Sequence, residues 1–331
     1  MATIKDIEQA VGEVLVPGVG RSLKKMNLVK DIKKKDKKVT ISLADAALNE
    51  ESQQLIEKMV KEAIACIDRD DNAEVKFIST QPKEINQVGK LVAIMSGKGG
   101  VGKSLVTALS AIALRRKGYQ VGILDADLTG PSIPKMFGIQ GRPGGSANGI
   151  MPVISGTGIE VISINLLLKD EGDALIWRGP LIAKAINQFW EDVAWGRLDY
   201  LLVDLPPGTA DAPLTVMQSL PLDGVVIVFT PQDLTAMIVK KAINMAEKLQ
   251  KPILGVVENM SYLYVPEIDK RIEIFGKSKV SEMSAEAKAP SLGSIPIDPE
   301  LASLCDKGQI EQYDSDIFKG FAANLIKAIG K

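Results

Sequence analysis

Residues 97–104 read GKGGVGKS, between the apolar run LVAIM (91–95) and a helical pattern that opens at Ser104. Few short stretches constrain a fold so tightly. The spacing G-x-x-x-x-G-K-[ST] requires a strand, a glycine-rich turn and a helix in immediate succession, because backbone N–H groups must close around phosphate oxygens at the helix N-terminus. Gly97, Lys98, Gly99, Gly100, Val101 and Gly102 are the expected cradle for ATP. Lys103 is expected to reach the β- and γ-phosphates, and the Ser104 hydroxyl to ligate Mg²⁺. One lysine suffices for such a loop, yet Lys98 adds a second.

The surrounding pattern agrees with this requirement. From residue 90 onward, short apolar runs at 91–95, 121–124, 159–164, 200–203, 225–229 and 253–257 alternate with helical segments at 104–116, 181–190 and 235–249. That alternation predicts an α/β fold, a P-loop NTPase with a mostly parallel sheet and helices on both faces. Ligands in such sheets bind at the carboxyl ends of the strands. Residues 1–80 read as a small α+β domain, 81–89 as a linker and 90–331 as the ATPase domain. In the first part, 4–15 and 51–67 have helical spacing, the latter with Leu55, Met59, Val60, Ala63, Ile64 and Ile67 apolar. Residues 27–32 and 39–43 read as hairpin strands around the lysine-rich tip 33–38, a solvated turn. Residues 141–149, GRPGGSANG, read as a loop.

A phosphate loop also needs a carboxylate at the end of a neighbouring strand. The run YLLVD ends in Asp204, the expected Mg²⁺ carboxylate, and Gly208 four residues on can offer its N–H to a γ-phosphate. The run ILDAD supplies Asp125 and Asp127, which point the same way on an extended chain. Asp127 is expected to orient the attacking water and to stand near Mg²⁺, with Asp125 supporting the metal's surroundings.

Composition then narrows the chemistry. The 331 residues include no histidine, so a histidine base or histidine metal site is excluded, and hydrolysis must rest on positioning, Mg²⁺ and the lysines Lys98 and Lys103. A net charge of −1 leaves no positive field for nucleic acid. Two distant cysteines, Cys66 and Cys305, imply no disulfide framework and fit a reducing, cytoplasmic setting. Both read as packing residues in helical patterns, Cys66 in a core. The first residues lack a signal-peptide core, and no run is long enough for a membrane span.

GKGGVGKS resembles the deviant phosphate loop of the MinD/ParA/nitrogenase iron protein class. Within that class, DADLTGPSIP (125–134), WRGP (177–180), DLPPGT (204–209), TPQD (230–233) and VENMSY (257–262) resemble the Mrp/ApbC-type ATPases. GRSL (20–23) and LVKDI (28–32) are similar to the small iron–sulfur cluster assembly domain that often precedes them. The resemblance implies a homodimer whose Lys98 crosses to the partner's nucleotide and whose Asn259 contacts adenine. It implies slow ATP hydrolysis used as a conformational switch, and iron–sulfur clusters delivered to apoprotein clients.

The same resemblance exposes a departure. Aligning on Asn259–Tyr262 and Ile274–Gly276 puts the family's Cys-x-x-Cys at or near Val265 and Ile268, where no thiol stands. Thiolates are the usual cluster ligands. One Cys305 from each of two subunits would supply two of the four ligands usually required. A rival reading is a MinD/ParA-like positioning ATPase without a cluster, with residues 317–329 as an amphipathic surface helix. Three lysines there are few for a membrane face, and packing on the chain's own sheet is the expected role. A reductase of the nitrogenase iron protein kind would need cysteines near Asp127 and Asp204, and none is there.

Overall fold

The computed structural model describes residues 2–127, 132–163, 166, 179–265 and 268–330. Residues 128–131 of DADLTGPSIP, Trp177 and Arg178 of WRGP, and 266–267 beside the expected thiol positions lie outside the described residues. The chain divides into two compact units.

The first unit comprises Met1–Gly89, Arg142–Ile154 and Gln188–Leu198. Helix α1 (Ile4–Glu13) begins at a capping box in which the Thr3 hydroxyl accepts from the Asp6 N–H and the Asp6 carboxylate accepts from the Thr3 N–H. Strands β1 (Val29–Lys35) and β2 (Lys38–Ala44) form an antiparallel hairpin. Helix α2 (Glu50–Ile67), capped by Asn49, returns the chain so that β3 (Asn72–Ile78) pairs parallel to β2. The hairpin tip is shorter than the lysine run suggested, because pairing continues to Lys35↔Lys38. Four of its lysines have acidic partners, Lys33 with Asp31, Lys34 with Asp71, Lys37 with Asp70 and Lys38 with Glu74.

The buried seam of α2 is Ile56, Val60 and Ile64, one residue every four, whereas Leu55 is 45% and Ile67 40% exposed. Cys66 is exposed, which corrects the core reading. It lies two residues past Ile64, about 200° round the helix from the seam.

The expected boundary at residue 90 also misses two segments. Arg142–Ile154 and Gln188–Leu198, inside the sequence span assigned to the ATPase domain, belong to the first unit. Arg21 explains the second. Its buried guanidinium donates to the carbonyls of Trp195 (3.2 Å), Lys25 (3.1 Å) and Arg197 (2.7 Å). A buried guanidinium must find acceptors, and the 188–198 segment provides two of them. In the first segment, the residues read as a loop contain a short antiparallel pairing of Gly145–Ser146 with Gly149–Ile150. The stretch read as a linker holds a 3-10 turn at Pro82–Glu84 and the start of the next strand.

The second unit comprises Lys90–Gly141, Ser155–Asn187 and Asp199–Lys331. Its elements run β4 (Gln87–Ser96), α3 (Lys103–Arg116), β5 (Val121–Asp125), α4 (Ser132–Met136), β6 (Glu160–Ser163), α5 (Gly179–Asp192), β7 (Arg197–Asp204), α6 (Asp211–Ser219), β8 (Gly224–Phe229), α7 (Asp233–Lys248), β9 (Ile253–Val265), β10 (Lys270–Ile272), α8 (Val280–Ala287), β11 (Ser291–Ile297), α9 (Pro299–Asp306) and α10 (Asp316–Ile329). The sheet order is β10-β9-β8-β4-β7-β5-β6, with β11 also on β9. The pairings of β7 with β5, β5 with β6, β8 with β4, β8 with β9 and β9 with β11 are parallel, and only β9 with β10 is antiparallel among those described. The last six residues of β4 and all of β5 and β8 are buried, as strands covered on both faces must be. The α/β architecture is as expected. Strand β11 was not anticipated, since Gly293 and Pro296 weaken its strand signal.

Helix α3 is buried from Val106 to Leu114. It packs on the sheet and under α10, whose Phe318, Phe321, Leu325 and Ile329 form its buried stripe. The apolar face of the last helix is therefore spent on the core. No helix among the described residues is long and apolar enough to cross a membrane.

Candidate functional site

The parallel strands β4, β7 and β5 end side by side at Ser96, Asp204 and Asp125, and the loop 97–102 leaves β4 at that edge. Gly100 and Gly102 have φ of +77° and +79°, the left-handed region that favours glycine. Gly102 is excluded from carrying a side chain twice over: a Cβ there would lie 2.1 Å from the Asn259 side-chain nitrogen. Gly102 is also the N-cap of α3 and provides no side-chain acceptor, so the first N–H groups of that helix face the loop without a cap. A Cβ on Gly100 would meet nothing within 4 Å, so the loop is open on its outer side. Such a cradle with uncapped amides fits a phosphate group.

Lys103 lies at the start of α3 with only 5% of its side chain exposed. Its ammonium is 2.8 Å from Asp204 and 3.3 Å from Asp127. Asp204 is wholly buried. It accepts from the Ser104 hydroxyl at 2.5 Å and the Thr107 hydroxyl at 2.7 Å. A buried carboxylate needs this many partners. Thr107 was missed in the sequence, although its place four residues after Lys103 puts it on the same helical face.

Asp125 plays a different part from Asp127. It is buried, accepts from Ser163 at 2.9 Å and from the Asp127 N–H at 3.1 Å, and orients the Asp127 backbone. Burial first, and the nearby Asp204 charge second, push its carboxyl well above the usual carboxylate range. Asp125 thus stands behind the site as a hydrogen-bonding support, while Asp127 faces Lys103.

Gly208 is at φ +94°, and its N–H donates to the Ser96 carbonyl at 3.0 Å. A γ-phosphate would have to draw that donor from Ser96. Asn259 is buried and donates to the Val101 carbonyl at 2.9 Å, so it braces the loop from β9. Beside it, the buried Glu258 accepts from Ser261, Ser278 and the Lys279 N–H. Lys98 is half-buried and donates to the side-chain oxygen of Gln232. The residues that brace this loop come from far along the chain: Gln232, just ahead of α7, meets Lys98, and Asn259 in β9 meets the Val101 carbonyl.

For Mg²⁺, Ser104, Asp204 and Asp127 converge on Lys103. No group of three or more carboxylates or thiols is placed to hold a metal by itself among the described residues. Mg²⁺ ordinarily uses one or two carboxylates plus substrate phosphates, and this donor set fits that mode.

The expected thiol positions carry no donor. Val265 ends β9 opposite Lys270, and Ile268 is 62% exposed. Cys305 in α9 is half-buried against the core, and burial followed by the Asp306 charge raises its thiol to about 11. At pH 8 roughly one such thiol in a thousand is ionised. In a thiol titration at that pH, Cys66 is expected to react promptly and Cys305 more than about tenfold more slowly until the protein is denatured. Equal rates in native protein would contradict the burial of Cys305.

Residues 87–329 match the family model of the NUBPL iron-transfer P-loop NTPases, of the ParA group. An iron–sulfur cluster carrier protein from Aquifex aeolicus is 37% identical over 96% of this chain and 95% of its own length. One from Methanocaldococcus jannaschii is 46% identical over 75% of this chain and 87% of its own. A nucleotide-binding protein from Archaeoglobus fulgidus, solved in complex with ADP, is 49% identical with a TM-score of 0.65, covering 73% of this chain and 96% of that one. The cell division ATPase MinD of Pyrococcus furiosus shares the fold at 23% identity and a TM-score of 0.52, over 73% of this chain and 98% of its own.

Proposed function

Because the chain belongs to the NUBPL iron-transfer P-loop NTPase family, we propose that it is a Mg²⁺-dependent ATPase acting in iron–sulfur cluster assembly or transfer. The observation that carries this reading is the buried Lys103, held between Asp204 and Asp127 below an uncapped, glycine-lined loop. The loop amides, Lys103 and Lys98 take the phosphates. Ser104, Asp204 and Asp127 hold Mg²⁺, which supplies charge neutralisation on the phosphate oxygens when bound. Asp127 orients water, Gly208 donates to the γ-phosphate, and Asn259 lies towards the base. Hydrolysis is slow and works as a switch in a cytoplasmic homodimer, with Lys98 acting on the partner's nucleotide.

The cluster is the cargo of this system, and the donor set speaks to where it sits. Val265 and Ile268 offer no ligand, and Cys305 is a single half-buried thiol packed against the core, short of the four ligands a cluster usually takes. The chain therefore supplies the ATP switch, while a partner protein holds the cluster. The first unit is an iron–sulfur cluster assembly-type domain by its GRSL and LVKDI stretches, and is the proposed contact for that partner. After anaerobic reconstitution with iron and sulfide, the desalted protein is expected to retain well under about one iron per chain while still turning over ATP. Transfer from a cluster-loaded donor to an apoenzyme should accelerate with ATP. A stoichiometric cluster on this chain would overturn the partner-held cargo. Transfer indifferent to ATP would favour an ATPase with another client.

A further inference from the structure

Gln232 occupies the N-cap position of α7 yet caps nothing: its side chain accepts no bond from the helix backbone. Its oxygen instead accepts from the Lys98 ammonium. The direction is set by chemistry, since an ammonium has no acceptor site and only the amide oxygen can face it. Among the described residues Lys98 takes part in no salt bridge. A second observation ties the two segments together. Gly97 lies so close to α7 that a Cβ on it would come within 2.3 Å of the Ile238 Cγ2 and 2.6 Å of the Ile238 carbonyl oxygen. The start of the loop thus lies against the second turn of α7, and this close approach keeps Lys98 near Gln232 at the head of the same helix.

We propose that Gln232 is the positioning residue for Lys98, holding its ammonium within its own chain and yielding it to the phosphate of the second copy. This rests on the trans role of Lys98 in the proposed function. A neutral amide suits the task. It fixes the direction of the ammonium but leaves its charge uncompensated, so a phosphate carrying negative charge outcompetes it. A carboxylate at the same place would form an ion pair and neutralise the charge that the phosphate needs.

The test is ATP turnover across a range of protein concentrations, with fluorescent-ATP binding and thermal midpoint measured alongside. It compares the full chain with Gln232→Glu, Gln232→Ala, Lys98→Ala and the two double variants. Gln232→Glu is expected to lower turnover about tenfold and to raise the protein concentration giving half-maximal rate. Gln232→Ala is expected to lower that concentration about threefold, because no bond within the chain must first be broken. Nucleotide affinity should stay within about twofold in both, since Lys103 and the loop amides are untouched. In the Lys98→Ala background both Gln232 substitutions should be silent, the signature of action through Lys98 that a merely structural role would not give. Persistence of their effects in that background, a Gln232→Glu enzyme as fast as the parent, or both variants matching the parent would overturn the proposal. If Lys98→Ala is inactive while the Gln232 variants behave as the parent, only the positioning role falls. If Lys98→Ala itself turns over and dimerises normally, the trans-lysine reading falls and takes the positioning role with it.

Discussion

Replacing Lys103 with alanine is expected to weaken ATP binding by more than about a hundredfold, a loss of roughly 2.7 kcal/mol or more. The expectation follows from its surroundings. Lys103 is the cation at the base of the loop, 5% exposed, and its ammonium is fixed by Asp204 and Asp127 in a geometry that a phosphate can join. Charge-assisted hydrogen bonds of this kind are about twice as strong as neutral ones. The substitution has a second consequence. Asp204 is completely buried and would keep only the Ser104 and Thr107 hydroxyls. Removing one partner of a buried ion pair costs about 3–5 kcal/mol. A fall in the unfolding midpoint should therefore accompany the loss of binding. Adding Asp204→Asn to Lys103→Ala separates the two effects: stability should recover in part, and ATP binding should not. Calorimetric titration with ATP at a temperature where circular dichroism shows both variants folded makes the comparison. Binding within about threefold of the parent in Lys103→Ala would remove this lysine from the phosphate site.

Lys98→Ala is expected to do nearly the reverse. Lys98 is half-buried, and its side-chain bond is to Gln232, so its loss should cost about 1 kcal/mol of stability or less. Nucleotide binding should stay within about threefold, because Lys103 and the loop amides remain. ATP-driven dimerisation should be lost, and turnover should fall about a thousandfold or more, as when an arginine supplied in trans is removed from phosphoryl transfer. Sedimentation with a slowly hydrolysed ATP analogue, beside a turnover assay, reads both quantities. A Lys98→Ala protein that dimerises and hydrolyses normally would show that the second lysine serves only its own loop.

The two lysines stand five residues apart in one short motif, and their spacing alone marked both. What separates them is burial. One is locked between carboxylates at the sheet edge, and the other rests on a neutral amide at the start of α7. Neither setting could be read in residues 97–104. The carboxylates lie 24 and 101 residues downstream of Lys103, and Gln232 lies 134 beyond Lys98.

The same contrast runs through the rest of the molecule. Periodicity correctly marked α2 as a helix but misjudged its buried side, placing Leu55, Cys66 and Ile67 inward. A helical pattern with apolar residues on more than one stripe leaves the choice to the surface it packs against. The first domain was ended at residue 80, with a linker to 89, because nothing local in Arg142–Ile154 or Gln188–Leu198 says that it packs with the first residues of the chain. Arg21 and its carbonyl partners decide this across some 170 residues.

By itself, the order of residues settled whatever depends on short-range stereochemistry: strand, glycine turn and helix at 91–116, the apolar runs that must be buried on both faces, and the missing thiols at Val265 and Ile268. Tertiary structure alone decided which carboxylate meets which ammonium, why burial raises the Asp125 carboxyl while Asp127 faces Lys103, and where Lys98 rests. These are properties of burial and distance. A group's charge, reach and competitor are set by neighbours that the fold brings in from elsewhere in the chain.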